Sequence, residues 1–386
     1  MSERPGAGIA AALVLNPALG SLYTWSVFIA PLETALAAPR AEISAVFAIA
    51  IACFTAGMVL APALYRFAPA PLHLLGCAVL AVFGLVLSAN AGAVWQLLVG
   101  YGVLFGLGGG YAYSITLQLV VLALPDRRGL ATGLGIGSFA VGSILLAVIF
   151  AQTVDRFGPF QTFAIVAALM TAASLLAALL AWRSRLGLPD PRSASADEAS
   201  APVGRIFPLL WLGFFLGAFA GVMSIGHAAS IVASHGGALG LAVVGTVVIN
   251  IGNAGGRIAA GIASDFFPPT RVAALAHISA GIGFLLLVFL PGPTVAVVAL
   301  GFEGLAYGLA SGAYPSAVAI YFGVARYGRY LGLLITAWGV AGLSGPWLAG
   351  WLYDHFGSYV PAAVIGLVLA ATGLVVSLRI PRPGRA

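Results

Sequence analysis

Lysine is absent from this chain, so its 17 basic residues are all arginine. Acids are scarcer: 11 aspartates and glutamates over 386 residues are too few and too scattered for a hydrolytic pair. Charged residues make up 7% of the chain, against about 25% in a soluble domain, which excludes a soluble fold. Cysteine occurs twice, at Cys53 and Cys77, both inside apolar runs. Two such residues form no disulfide framework or metal-ligand cluster, and they read as packing residues. Neither a metal nor any other cofactor is expected.

Hydrophobic residues fill the space that charge leaves: they are 61% of the chain, and the mean hydropathy is +1.07. Apolar runs of about 20 residues mean membrane-spanning helices, because a spanning strand would be shorter and would alternate. The runs lie at about 8–32, 43–65, 71–92, 94–123, 130–154 and 159–182, then at about 207–232, 238–262, 272–292, 294–322, 330–353 and 359–379. The first run is too long for the core of a signal peptide. The expectation is an all-α integral membrane protein of twelve helices, with the lipid bilayer as its surroundings.

A polar break rich in Pro, Ser, Asp and Glu divides the runs six and six. It predicts an N-terminal half at 1–183, a cytoplasmic linker at 184–206 and a C-terminal half at 207–386. With both termini in the cytoplasm, 14 of the 17 arginines fall on the cytoplasmic side, leaving Arg40 and Arg156 outside and Arg257 within a span. The positive-inside rule selects that topology, in the inner (plasma) membrane. The net charge of +6 therefore reports orientation, and no nucleic-acid partner is expected.

The halves echo each other. Asp155-Arg-Phe-Gly-Pro-Phe160 after the fifth run matches Asp354-His-Phe-Gly-Ser-Tyr359 after the eleventh, and Tyr113 falls opposite Tyr314. Parallel repeats of this kind are a mark of transporters. The counterpart of Arg257 in the first half is Gly57, so the intramembrane charge belongs to the second half alone.

An arginine at the centre of a spanning helix costs roughly 2.5–3.5 kcal/mol and is expected to face a protein-lined or aqueous interior. Thr246, Asn250, Asn253, Arg257, Gly261 and Ser264 recur at intervals of three or four, which puts the polar groups on one face. Snorkelling into the headgroups is the alternative, and it explains the charge but not the stripe. Other stripes are Asn16, Gly20 and Tyr23; Tyr111, Ser114 and Gln118, with Tyr113 on another face; Ser224, His227 and Ser234; and Glu303, Tyr307, Ser311 and Tyr314. Taken singly, such stripes also serve interhelical hydrogen bonding.

Three stretches carry a family resemblance: Tyr23-Thr-Trp-Ser-Val-Phe-Ile-Ala-Pro-Leu32, Leu124-Pro-Asp-Arg-Arg-Gly-Leu-Ala-Thr-Gly133 and the run Tyr327 to Pro346. The chain resembles the oxalate:formate antiporter family of the major facilitator superfamily and, more distantly, the proton-linked monocarboxylate transporters. The resemblance implies a major facilitator fold, alternating access and an arginine in the eighth helix as carboxylate ligand, here Arg257. Oxalate-carrying members have a lysine in the eleventh helix, where this chain has Trp338. The monocarboxylate transporters have an aspartate one turn before the arginine, where this chain has Asn253.

The expected substrate is therefore a small monocarboxylate resembling lactate, pyruvate or formate, since one cation leaves a dianion half-neutralised. The expected ligands are Arg257, His227, Tyr23, Tyr111, Tyr113, Asn253, Tyr307, Tyr314 and Trp338, with Trp25 and Phe28 as further wall residues. Glu303 and His227 are the candidates for proton coupling; Glu303 equally reads as a structural partner or gating residue, and His227 as a neutral histidine satisfied by a neighbouring helix. Anion exchange of the oxalate/formate type and efflux of a neutral or amphipathic molecule are the competing functions. No enzyme motif competes, and a monomer is expected.

Overall fold

The computed structural model describes residues 4–124, 128–188 and 206–381, and every regular element among them is helical. Helices are what a bilayer permits, because each backbone N–H and C=O must be satisfied inside its own segment. We label the spans α1 (Pro5–Val27), α2 (Arg40–Phe67), α3 (Ala70–Ala89) and α4 (Val94–Ala123). One helical run, Arg128–Ser184, breaks at Gly158 into α5 (128–157) and α6 (159–184). Then come α7 (Ile206–Ser234), α8 (Leu239–Phe266) and α9 (Pro269–Phe289). A second long run, Pro293–Phe356, contains the separate spans α10 (Pro293–Phe322) and α11 (Arg329–Phe356), and α12 is Val360–Arg379. Among the described residues eleven helical segments are long and apolar enough to cross a bilayer, and the break at Gly158 divides one of them into α5 and α6, which accounts for the twelve expected spans.

The first run departs from a single helix. Pro17 lacks an N–H and cannot continue the hydrogen-bond ladder, and from Gly20 to Val27 the chain winds as a 3₁₀ helix. A short separate helix, Ile29–Leu36, then ends on Ala37 in the left-handed region, with φ 49°.

The repeated Asp-x-Phe-Gly motif has a conformational cause. Gly158 takes φ 82°, ψ 169° between α5 and α6, and Gly357 takes φ 64°, ψ 16° at the end of α11, its N–H donating to the Tyr353 carbonyl at 2.8 Å. A side chain at either position would strain the backbone, so glycine closes both corners.

The residues form two compact units, Met1–Ala38 with Ala45–Ala194, and Pro39–Ser44 with Ser195–Ala386. In the first, Trp25 packs among Phe28, Phe47, Tyr101 and Phe163 with ring centroids 4.6–6.4 Å apart. This cluster holds two of the expected wall residues as core. The linker residues 189–205 lie outside the described residues. So do the side chains of Asp126, Arg127, Arg128 and Asp265.

In the second unit, small residues decide how the helices meet. Gly213, Gly217, Gly221 and Ser224 run along one face of α7, and opposite them in antiparallel order lie Tyr314, Ala310, Tyr307 and Glu303 of α10. A Cβ on Gly217 would lie 3.2 Å from Ala310 Cβ. Between α8 and α10, Gly252 and Gly256 face Gly304 and Gly308 so closely that a Cβ on Gly256 would meet Gly308 Cα at 2.9 Å. Without a hydrophobic drive between helices in lipid, such notches supply the close van der Waals packing.

The six residues from Pro39 to Ser44 join this unit through Asp354. Its carboxylate accepts from the Arg40 N–H at 3.0 Å and from the Ala41 N–H at 2.7 Å, capping the start of α2. The Arg40 guanidinium lies 3.8 Å from the Tyr353 ring centroid and donates to the Tyr359 hydroxyl at 3.3 Å.

Candidate functional site

Arg257 is half-buried on α8, and the close α8–α10 packing brings Tyr307 to it. Its Nε donates to Asn253 Oδ1, one turn earlier, at 3.0 Å, and its guanidinium carbon is 5.5 Å from the Tyr307 ring centroid. Among the described residues no carboxylate pairs with Arg257, and neither terminal guanidinium nitrogen donates to the protein. Other arginines of the described residues fall at helix ends. Among the described residues the terminal nitrogens of Arg257 are therefore left without a protein acceptor, which is what bidentate binding of a carboxylate needs. Asn253 itself is 2% exposed, and Asn250 donates to the Thr246 carbonyl at 2.8 Å. The polar stripe on α8 thus continues into its own backbone.

The α10 stripe does not act as one surface. Tyr307 packs on Gly221 and faces Arg257. Tyr314 is fully buried elsewhere: its hydroxyl pairs with His277 Nε2 and with Ser377 Oγ, each at 3.0 Å, between α9 and α12. Glu303, 1% exposed, accepts from Ser224 at 2.7 Å through Oε2, while Oε1 has no partner among the described residues. Trp338 is buried on α11.

His227 has both ring nitrogens engaged. Nε2 lies 2.8 Å from the Pro346 carbonyl, which can only accept, so that nitrogen carries the proton. In the neutral imidazole Nδ1 then accepts from the Tyr359 hydroxyl, 2.7 Å away. A neutral imidazole satisfied by neighbouring helices is the geometry found, and no contact joins it to Arg257 among the described residues.

Within the first unit, Tyr23 and Tyr113 come together on one aromatic ring that sequence reasoning missed. Phe139 lies 5.3 Å from each, centroid to centroid, and Phe54 lies 5.7 Å from Tyr113. Tyr111 points to another partner, donating or accepting at 2.7 Å with His73 Nδ1. Asn16 is structural: it donates to the Gly135 carbonyl at 2.9 Å and accepts from Thr116 at 2.6 Å. His73, Phe139 and Tyr359 gave no signal in the sequence, because each lies off the polar stripes and meets its partner across a helix contact.

Among the described residues, Arg257 is thus an arginine inside a membrane-length helix without a carboxylate partner. A profile of the Major Facilitator Superfamily matches residues 9–342, and the chain belongs to that superfamily. It is 27% identical to human monocarboxylate transporter 11 over 339 residues, covering 82% of this chain and 70% of that one. It is 23% identical to the oxalate:formate antiporter of Oxalobacter formigenes over 398 residues, covering 98% and 91%. Among solved structures, a bacterial homologue of the human lysosomal transporter Spinster, inward-facing and unoccupied, is similar with a TM-score of 0.78 at 16% identity, covering 98% of each chain. That likeness concerns the fold alone.

Proposed function

We propose that this transporter carries a small monocarboxylate of the lactate, pyruvate or formate class by alternating access, with Arg257 as the anion's ligand. The observation that supports it most is the Arg257 guanidinium held by Asn253 and Tyr307 with no carboxylate on it among the described residues. A monoanion neutralises that charge, whereas the second carboxylate of oxalate would be left uncompensated in a poorly solvated site. Proton symport belongs to the proposal, with Glu303 as the group that carries the proton.

Counterflow in proteoliposomes over a panel of labelled mono- and dicarboxylates tests this reading. Arg257→Ala is expected to lower lactate counterflow at least about 100-fold, equivalent to about 2.8 kcal/mol of lost interaction. Retained transport in that variant points instead to a neutral or amphipathic cargo. Oxalate uptake equal to that of lactate overturns the monocarboxylate assignment.

A further inference from the structure

Glu303 is a buried acid whose second oxygen has no partner among the described residues, and the groups leading away from it run toward the protein's rim rather than toward Arg257. On α7, Ser224 and His227 are three residues apart and share a face. Both line a cavity with about 10 Å³ of free volume, the room of about one water molecule. Tyr359 lines it too, and Phe284, Leu287 and Ala349 make its wall apolar. The Arg40 guanidinium donates to the Tyr359 oxygen, and the exposed Asp354, which accepts from the Arg40 backbone N–H, marks the rim. This end is the external face in the topology set by the arginines.

We propose that Ser224, one water in this cavity and Tyr359 form a proton path from the external face to Glu303, separate from the anion site. The inference rests on the proton-coupled reading above. As a proton from bulk water at the rim arrives on its oxygen, Tyr359 turns its own hydroxyl hydrogen from His227 Nδ1 to the cavity water and gives it up. The water passes one to Ser224, and Ser224 passes one to Glu303. Each intermediate gains one proton and loses one, so only Glu303 changes its net protonation. His227 is a positioning residue, tied to the Pro346 carbonyl and accepting from Tyr359.

The titratable and charged groups facing this line are few. Around Glu303, α7 presents Ser224, α9 presents Gly283 against the Glu303 Cγ, and Tyr307 is one turn along on α10. Around the cavity stand His227 and Tyr359, with Arg40 and Asp354 at the rim. An ionised Glu303 with a bare oxygen in this surrounding is costly, so the site suits the neutral acid. Tyr307 then links the two cargoes, because it lies one turn from Glu303 and its ring faces Arg257.

The full chain in proteoliposomes provides the test, with labelled lactate as the probe and acid applied to the side bearing residues 354–359. Glu303→Gln is expected to lose acid-driven accumulation and keep lactate–lactate exchange. Ser224→Ala and Tyr359→Phe are expected to slow acid-driven uptake on the order of tenfold or more, with exchange again retained. Unchanged accumulation in Glu303→Gln, or wild-type acid-driven rates in both other variants, overturns the path. Infrared pH-difference spectra without any substrate give an independent readout: a protonated-carboxyl band is expected in the wild type and lost in Glu303→Gln. If the wild type moves no monocarboxylate, the substrate reading fails, and the infrared band still decides whether Glu303 takes up the proton.

Discussion

Arg257 shows how much one side chain depends on two neighbours of different kinds. Asn253 fixes the direction of the guanidinium by a hydrogen bond, and Tyr307 offers a ring face that favours the cation without neutralising it. Tyr307→Phe keeps that face and should leave lactate affinity within about twofold. Tyr307→Leu removes it and should weaken affinity about fivefold, corresponding to about 1 kcal/mol, as read by substrate binding in detergent. Asn253→Leu is a sharper probe, because it removes the acceptor that holds Arg257 Nε and leaves the guanidinium undirected. Lactate binding should then fall, and a wild-type affinity in Asn253→Leu would argue against Asn253 as the group that positions Arg257. A different dependence holds for Tyr111, whose partner is His73. His73 Nε2 is already buried without a partner, so Tyr111→Phe should orphan the second nitrogen and cost about 1–3 kcal/mol, seen as a lower Tm.

At the scale of helices, the α7–α10 contact carries the second unit. The face of α7 that reads Gly213, Gly217, Gly221 is a groove, and the side chains of Tyr314, Ala310 and Tyr307 fill it. Helical spacing identified the α10 stripe, yet the stripe is mostly an interface, and only Tyr307 reaches Arg257. Gly221→Leu should therefore do two things at once: lower the Tm by overpacking, at roughly 1–3 kcal/mol, and weaken substrate binding by moving Tyr307. A drop in Tm with unaltered binding would separate the groove from the site. The capping of α2 by Asp354 is a second element-scale feature. Asp354→Ala removes an acceptor from two backbone N–H groups and should cost about 0.5–2 kcal/mol, measurable by thermal unfolding in detergent.

For the whole molecule, orientation is the claim that stands on charge counting alone. In a chain lacking Cys53 and Cys77, a cysteine replacing the exposed His355 should react with an impermeant maleimide from outside the cell, and one replacing Arg185 only after permeabilisation. The reverse pattern would invert the topology and move the proposed proton entry to the cytoplasm.

The number of spans, the two halves and the presence of an arginine inside one span were all legible in the sequence. A bilayer forces each crossing to be an uninterrupted apolar helix, so length and hydropathy alone mark it, and a charge inside such a run is conspicuous whatever surrounds it. The Asp-x-Phe-Gly repeat was legible too, because a left-handed corner needs glycine wherever it occurs. What the tertiary structure decided was the company each face keeps. Periodicity says that Glu303, Tyr307 and Tyr314 share one side of α10, but that side spans three neighbours: Ser224 and Gly283 around the acid, Arg257 beside one tyrosine, His277 and Ser377 beside the other. Likewise His227 lies on the polar face of α7, and only the approach of Tyr359 and the Pro346 carbonyl directs it toward a proton path instead of the anion. Partners across helices are set by how glycine notches let the helices close, a property of pairs of helices that no single helix carries.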